Sequence, residues 1–188
     1  LKKDDTLTIN AIKNFDIEII YQKNYGYGDA LITGINNTKT KYFCIFNADG
    51  SFNPAEINGF LKLLEINDTD FLFASRYENN SGSEDDTFIT FIGNKIFSLI
   101  GKIFFKLTIT DILYTFVIGK SEKAKILNLQ KKDFSFCVEL PIKAKKMNFS
   151  MISGNSYERK RIAGTKKVSE LKDGFLILMH MIVLFFQK

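Results

Sequence analysis

The feature that constrains this chain most is the alternation of short apolar runs with helical patterns through its first half. The predicted elements are a helix over 6–15, a strand over 17–21, a helix over 28–37, a strand over 42–46, a helix from about 54 to 66 and a strand over 71–77. This β-α-β-α-β order favours a mostly parallel sheet flanked by helices, so we predict an α/β fold. Ligands of such folds gather at the carboxyl ends of the strands.

The second half has a less regular pattern. It predicts helices over 88–106, 122–129 and 136–147, strands over 113–118 and 149–153, and a tail over 167–188 that ends in an apolar run. That run, 175–186, is shorter than the roughly 20 residues that span a bilayer, so it is a buried helix, an interfacial helix or the start of a membrane segment. No repeat or linker divides the chain, and we predict a single domain over 1–188.

Composition narrows the chemistry. The chain has one histidine, His180, and two isolated cysteines, which argues against zinc clusters and Ser-His-Asp catalysis. A net charge of +5 suits an anionic partner such as phosphate, acidic lipid or nucleic acid. Only three arginines occur, Arg76, Arg159 and Arg161, so they are candidates for bidentate contacts with phosphate or carboxylate.

The strongest local signal follows the predicted strand over 42–46. Asn47 and Asp49 lie two residues apart, on one side of an extended chain, and Ser51 follows them. Oxygen ligands so placed hold Mg²⁺ or Mn²⁺ against a diphosphate. The alternative is an ordinary Asx-rich turn before a helix cap.

Two further segments are candidates for phosphate binding. Gly26 and Gly28 would let the backbone approach a nucleotide, although a tight turn explains them equally well. Arg159 and Arg161, with Lys167 beyond them, suggest a basic loop that closes over a diphosphate or an acceptor phosphate. A solvated basic turn is the alternative.

Taken in order, these motifs resemble family-two glycosyltransferases of GT-A fold, especially the dolichyl- and polyprenyl-phosphate mannose and glucose synthases. The resemblance covers nearly the whole chain. The matching stretches are Lys3-Asp4-Asp5-Thr6, Asn24-Tyr25-Gly26-Tyr27-Gly28-Asp29-Ala30, Asn47-Ala48-Asp49-Gly50-Ser51, Ala74-Ser75-Arg76-Tyr77, Gly93-Asn94, Thr110-Asp111 with Phe116, Glu139, and Arg161 with Gly164 and Lys167.

The resemblance implies a role for each of these positions. Asp49, Asn47 and Ser51 correspond to the D-x-D metal motif, with Asn47 in place of the first aspartate. Asp111 and Glu139 are the implied catalytic residues, and for Asp111 the alternative is a structural cap of Leu113 and its neighbours. The implied donor and phosphate contacts are Gly26, Gly28, Asn47, Asp49, Arg76, Arg159, Arg161 and Lys167.

The expected activity is transfer of a sugar from a UDP- or GDP-linked donor to polyprenyl phosphate, with inversion, at the cytoplasmic face of a membrane. A lipid monophosphate suits a chain with one histidine, because it is already largely dianionic at pH 7 and needs no base. Asp111 or Glu139 could still serve a hydroxyl acceptor, such as a growing polysaccharide. A catalytically silent binding relative is a further alternative.

Nucleic-acid binding is disfavoured because the lysines are dispersed. The family's upstream nucleotide-binding strand is missing before Leu1, so we expect a fragment that binds its donor poorly alone. The tail over 167–188 is expected to be interfacial or to lead into a membrane segment.

Overall fold

The computed structural model describes residues 1–164 and 168–187. Its helices are α1 (Thr6–Ile12), α2 (Tyr27–Asn37), α3 (Glu56–Ile66), α4 (Phe88–Phe105), α5 (Ser121–Ile126), α6 (Phe136–Lys146) and α7 (Glu170–Phe186). Its strands are β1 (Tyr42–Ile45), β2 (Phe71–Ser75), β3 (Gly82–Ser83), β4 (Val117–Lys120), β5 (Met151–Asn155) and β6 (Tyr157–Glu158).

The central sheet has the strand order β1-β4-β2-β5. β2 and β5 pair in parallel, whereas β4 runs antiparallel to both β1 and β2. Three of the four strands therefore point the same way, and β4 departs from the predicted parallel direction. The carboxyl ends of β1, β2 and β5 meet at one edge, which the start of β4 also reaches.

The strand predicted over 17–21 is not formed. Leu1 donates its amino group to the Ile20 carbonyl at 2.8 Å and accepts from the Gln22 amide at 2.9 Å. These two hydrogen bonds form a single bridge between the segments, which is too short for a strand. Ile17, in the middle of the predicted strand, is 53% exposed. The strand predicted over 113–118 begins only at Val117, because the chain bends at 112–113, next to the buried Asp111.

The core lies on both faces of the sheet because strand side chains alternate. Phe71 and Phe73 face one cluster, which also contains buried residues of α2, α6 and α7. Leu72 and Ala74 face a second cluster that includes Phe60 of α3. The predicted α/β fold, a sheet flanked by helices, is confirmed.

Helix α4 combines unusual hydropathy with high exposure. It is the one helix among residues 1–164 and 168–187 that is long and apolar enough to cross a membrane, judged by length and composition. Its mean hydropathy is 1.5, yet only 17% of it is buried within the domain.

Candidate active site

The carboxyl edge of the sheet brings together most of the predicted site residues. Asn47 and Asp49 follow β1, and Arg76 follows β2. Glu158 and Arg159 lie just beyond β5. The site is therefore built from segments far apart in the chain, at the edge where the sequence predicted it.

The turn after β1 positions Asp49. Its Oδ1 accepts hydrogen bonds from the amide and the hydroxyl of Ser51, at 3.0 and 2.7 Å. Its backbone carbonyl accepts from the Ile162 amide at 2.8 Å. Gly50 has a φ of +86°, and a Cβ there would clash with the Ile162 side chain, so both the turn and the segment above it require glycine.

Asn47 lies beside a polar cluster that the sequence did not indicate. The Tyr27 hydroxyl is 2.6 Å from the Thr115 hydroxyl and 3.5 Å from Oδ1 of Asn47. The Tyr27 ring stacks on Phe134 at a centroid distance of 4.8 Å. Burial raises the pKa of the Tyr27 hydroxyl, so it is a neutral hydrogen-bonding group at neutral pH.

The donor set at this edge fits a hard cation held mainly by substrate oxygens. Mg²⁺ keeps several waters and is bound by one or two protein carboxylates together with substrate phosphates. Oδ2 of Asp49 lies 3.9 Å from Nη1 of Arg161, beyond hydrogen-bond distance. Asn47 lies two residues earlier in the same turn, and its amide oxygen is 3.5 Å from the Tyr27 hydroxyl. Ser51 donates its hydroxyl to Asp49 and so orients the carboxylate. Within the described residues, no group of three or more His, Cys, Asp or Glu side chains could hold a metal without substrate.

Arg76 lies at the centre of a buried cluster of carboxylates. Its Nε and Nη2 donate to the two oxygens of Asp111 at 2.7 and 3.1 Å. Its Nη1 donates to Asp86 at 3.2 Å and to Glu158 at 3.0 Å, while the guanidinium lies over the Tyr114 ring. This arrangement turns the fork of Arg76 toward three carboxylates, so the predicted contact with a donor phosphate is not what the geometry favours.

The electrostatics of this cluster follow from burial and pairing. Burial alone would lower the pKa of Arg76, but the charge and hydrogen bonds of Asp111 and the charge of Glu158 raise it well above its ordinary value. Burial raises the pKa of Glu158, and the charge of Arg76 offsets part of that rise. Asp111, predicted as a catalytic residue, is 1% exposed and holds Arg76 with both oxygens, which favours a structural role.

Glu139, the other predicted catalytic residue, is also 1% exposed. Its carboxylate accepts from the backbone amides of Gln130 and Lys131 at 2.8–3.1 Å and pairs with Lys143 at 2.8 Å. It thereby fixes the backbone over 130–132. The geometry favours an anchoring role here as well.

The anchored backbone over 130–132 explains the two glycines of the predicted nucleotide loop. A Cβ at Gly26 would collide with the carbonyl oxygen of Lys132, and one at Gly28 with that of Lys131. Gly26 also has a φ of +123°. Close backbone packing therefore accounts for both positions, and their predicted donor contact stays untested.

The predicted basic loop lies across the Asp49 turn. Arg159 donates to the Phe52 carbonyl at 2.7 Å. Arg161 donates to Asp85 at 2.6 Å, which turns its guanidinium toward the acidic loop after β3. Lys167, the third predicted basic contact, lies outside the described residues.

A cleft of about 420 Å³ opens beside the Arg76 cluster. Its lining combines polar side chains, Arg76, Ser83 and Asp86, with aromatic ones, Tyr77, Phe88 and Phe91. Phe88 is 78% exposed at the first turn of α4. The cleft therefore joins the polar edge of the sheet to an exposed apolar helix.

Sequence reasoning missed Asp86, Glu158, Tyr27 and Thr115. Two of them had a local signal, since Glu158 directly precedes Arg159 and Tyr27 lies between the two predicted glycines. Asp86 and Thr115 had none, because their partners lie far away in the sequence.

Comparison with solved structures identifies the fold. Glucosyl-3-phosphoglycerate synthase from Mycobacterium tuberculosis, solved with Mn²⁺, UDP and phosphoglyceric acid, superposes with a TM-score of 0.64 at 12% identity, over 88% of this chain and 56% of that one. Mannosyl-3-phosphoglycerate synthase from Rubrobacter xylanophilus gives a TM-score of 0.68 at 14% identity, over 96% and 60%. These identities show a shared fold alone, of the GT-A type, and the chain spans little more than half the length of either neighbour.

The assignment of this chain to a family rests on a sequence match. The profile described as "Glycosyl transferase family 2" matches residues 3–127, which contain Asp49, Arg76 and Asp111. The match covers well over half of the chain and includes β1, β2 and β4 of the central sheet. The chain therefore belongs to glycosyl transferase family 2.

Proposed function

We propose that the protein transfers a sugar from a UDP- or GDP-linked donor to polyprenyl phosphate, with inversion and with a divalent cation, at the cytoplasmic face of a membrane. The observation that carries this proposal is the burial of both predicted bases. Asp111 is held by Arg76, and Glu139 is held by two backbone amides and Lys143.

The acceptor chemistry follows from that burial. A hydroxyl acceptor needs a base within reach, whereas a lipid monophosphate is already largely dianionic at pH 7. His180, the single histidine, is buried on the inner face of α7. A phosphate acceptor therefore suits this site better than a hydroxyl acceptor does.

The donor side is proposed at the Asp49 turn. Asp49 and Asn47 are the residues that would hold Mg²⁺ or Mn²⁺, and Ser51 would orient the carboxylate. Bound there, the cation offsets the negative charge of the departing diphosphate. The Mycobacterium tuberculosis synthase was solved in complex with Mn²⁺ and UDP, which supports a cation and a nucleotide donor for the chain described here.

Arg161 is proposed to contact the diphosphate. Its guanidinium lies between Asp85, at 2.6 Å, and Asp49, at 3.9 Å. A diphosphate bound at Asp49 would offer oxygens to the same fork, and Arg–phosphate contacts are commonly bidentate.

The cleft beside α4 supports an acceptor with an apolar chain. Two of its aromatic lining residues, Phe88 and Phe91, belong to α4 and lie on its exposed surface. A small polar acceptor has no apolar group that would contact these aromatic side chains. The two structural neighbours are named as glucosyl- and mannosyl-3-phosphoglycerate synthases, so 3-phosphoglycerate, which also bears a phosphate, is the natural comparison in a test.

The test is sugar transfer by the protein in its natural full-length form, with radiolabelled UDP-glucose and GDP-mannose supplied separately together with Mn²⁺. Polyprenyl phosphate in detergent, polyprenol and 3-phosphoglycerate serve as parallel acceptors. We expect a labelled lipid product with polyprenyl phosphate only, and loss of that product with a chelator.

Transfer to 3-phosphoglycerate or to polyprenol, with none to polyprenyl phosphate, would overturn the proposed acceptor and keep the nucleotide-sugar donor. Donor hydrolysis or transfer that continues at full rate with chelator would overturn the cation. No turnover of either donor with any acceptor, in protein that binds UDP or GDP, would indicate a silent binding relative.

A further inference from the structure

Helix α4 is amphipathic, but its most apolar face points away from the domain and not into it. Its inner face carries the buried small and polar residues Asn94, Ser98 and Gly101, together with Phe97, Ile100 and Phe105, which pack partly buried against the core. Its outer face is apolar, and Leu99 and Ile103 are 55% and 60% exposed. The packing of this helix on its own domain therefore does not explain the apolar residues of its outer face.

The inner face of α4 is nonetheless firmly attached. Asn94 donates to the Tyr77 hydroxyl at 2.9 Å, and Ser98 accepts from the Ile112 amide at 3.1 Å. Gly101 allows Leu107 and Ile112 to pack so closely that a Cβ there would lie 3.0 and 3.1 Å from their methyl groups. To cross a bilayer, α4 would have to break these contacts.

Helix α7 extends the same surface. Its inner face contributes Ile177, His180, Met181 and Leu184 to the domain. Its outer residues include Phe175, Leu178, Met179, Ile182, Val183, Phe185 and Phe186, each more than a third exposed. Phe185 contacts Phe104 and Phe105 edge to face at 5.8 and 6.1 Å, so the outer faces of α4 and α7 are continuous. We call this the α4–α7 surface.

The charges on this surface have one sign along α4. Lys95, Lys102 and Lys106 are exposed on or just after the helix, which contains no acidic residue. The acidic residues of α7 are confined to its first turn, Glu170 and Asp173. Basic side chains therefore accompany the apolar outer face of α4.

We infer that the α4–α7 surface lies on an anionic bilayer, with both helices parallel to the membrane plane. Helices of this kind bury their apolar face roughly 5–10 Å into the boundary between headgroups and acyl chains. Lysines at the edge of the surface extend their ammonium groups to the headgroups, where anionic lipid attracts them. The inference rests on the proposed function for the lipid nature of the partner, but vesicle binding is measured without sugar transfer, so either can fail alone.

A second copy of the chain fits this surface less well. A symmetric contact through α4 would place Lys95, Lys102 and Lys106 of both copies in one interface, where α4 offers no carboxylate to pair with them. Like charges brought close together across an interface are unfavourable. A bilayer avoids this cost because the lysine side chains remain in contact with water and headgroups.

The test is flotation of the 188-residue chain with vesicles of phosphatidylglycerol and phosphatidylcholine, and with phosphatidylcholine vesicles alone. We expect binding to the anionic vesicles that weakens at high salt, because salt screens the lysine contribution. Lys102→Glu plus Lys106→Glu should weaken partitioning about tenfold or more. Leu99→Ser plus Ile103→Ser should weaken it at every salt concentration, because these changes remove apolar area.

Matched controls lie on other surfaces of the chain. Lys13→Glu plus Lys62→Glu makes the same change in net charge, and Ile66→Ser changes an apolar residue that is 81% exposed at the end of α3. These variants should bind vesicles like the parent. Equal binding by the surface variants and the parent, or an absence of parent binding at low salt together with a concentration-dependent dimer, would overturn the inference.

Depth distinguishes a helix in the membrane plane from a spanning one. The chain has no tryptophan, so Leu99→Trp provides a single reporter in the middle of α4. We expect its fluorescence to be quenched more by lipids brominated near the headgroup than by lipids brominated deep in the acyl chain. Stronger quenching by the deep label would overturn the in-plane arrangement.

Discussion

The Asp49 turn and the Arg76 cluster lie on the same edge of the sheet and use the same types of residue, yet they differ in how their charges are satisfied. Asp49 uses one carboxylate oxygen for Ser51, and its other oxygen lies 3.9 Å from Arg161. Arg76 directs its fork at Asp111, Asp86 and Glu158. The turn has capacity for a ligand, whereas the cluster is internally paired.

Residue type and location therefore do not define a site by themselves. Charged groups that pair with each other inside a protein hold segments together, and breaking such a pair leaves an uncompensated charge. A group with an unused oxygen at the rim can take a cation or substrate. Activity should therefore depend on the turn, and stability on the cluster.

The largest effect is expected at the turn. Asp49→Ala should lower the transfer rate about a thousandfold, because a bound cation contributes several kcal/mol of charge stabilisation. The free energy of unfolding should fall by only about 1–2 kcal/mol, because the hydrogen bonds from Ser51 to Asp49 are lost. Asn47→Asp should keep activity and tighten Mn²⁺ binding, and Asp16→Ala, an exposed aspartate on another surface, is the matched control. Full activity of Asp49→Ala with chelator present would remove the turn from catalysis.

The next effect concerns the cluster. Arg76→Met should lower the free energy of unfolding by about 3–5 kcal/mol, because it leaves buried carboxylates without their cation. Urea unfolding followed by circular dichroism measures this loss. Adding Asp111→Asn to Arg76→Met should recover part of it. If Arg76→Met keeps the parent's stability and loses only donor binding, the sequence-based assignment of Arg76 to phosphate is right.

Glu139 tests the same distinction away from the edge. Glu139→Gln should lower the free energy of unfolding by about 2 kcal/mol, because hydrogen bonds to a charged group are worth roughly 1.5–3 kcal/mol. The transfer rate per folded molecule should stay within about twofold of the parent. A rate that falls a hundredfold in fully folded protein would restore Glu139 as a catalytic residue.

Arg161 lies between the Asp49 turn and Asp85, in the loop that leads to Asp86 of the Arg76 cluster. Its replacement should affect donor binding more than the transfer rate or stability. Arg161→Gln should raise the KM for the nucleotide sugar about tenfold with little change in stability, since one charged contact with phosphate is lost. Lys160→Gln, at the neighbouring exposed position, is the matched control. An unchanged KM would mean that Arg161 serves only to hold the acidic loop through Asp85.

The smallest effect is expected at His180, whose two ring nitrogens are buried without a hydrogen-bond partner in the described part of the chain. Burial lowers its pKa, and Lys131 and Lys143 act in the same direction against Glu139 and Asp133. Protonation is thus harder in the folded chain than in the unfolded one. The contribution of neutral His180 to the free energy of unfolding is therefore complete above about pH 6.5 and declines as the pH falls below that value.

Thermal unfolding of the parent and of His180→Leu at pH 7.5 and 5.5 checks this dependence. The parent should lose more stability than the variant between these two values. Equal losses would show that other groups cause the acid sensitivity.

Local patterns in the sequence predicted much of the fold. Apolar periodicity predicted α2, α3, α4 and the strands β1, β2 and β5, because each pattern reflects the burial of one face of one element. The same logic predicted that Asp49 follows a buried strand at the carboxyl edge. The prediction was wrong where an element needs a hydrogen-bonded partner strand. The segment over 17–21 pairs only with Leu1, through two hydrogen bonds, and forms no strand.

The direction of β4 and the pairing of the charges depend instead on tertiary packing. Arg76 meets Asp111 and Glu158 across 35 and 82 residues of sequence, and Gly26 meets Lys132 from another part of the chain. Which carboxylate an arginine pairs with depends on where distant segments cross, and no local pattern encodes that crossing. Local sequence thus sets which residues reach the edge of the sheet, and the packing of distant segments sets which of them remain open to a ligand.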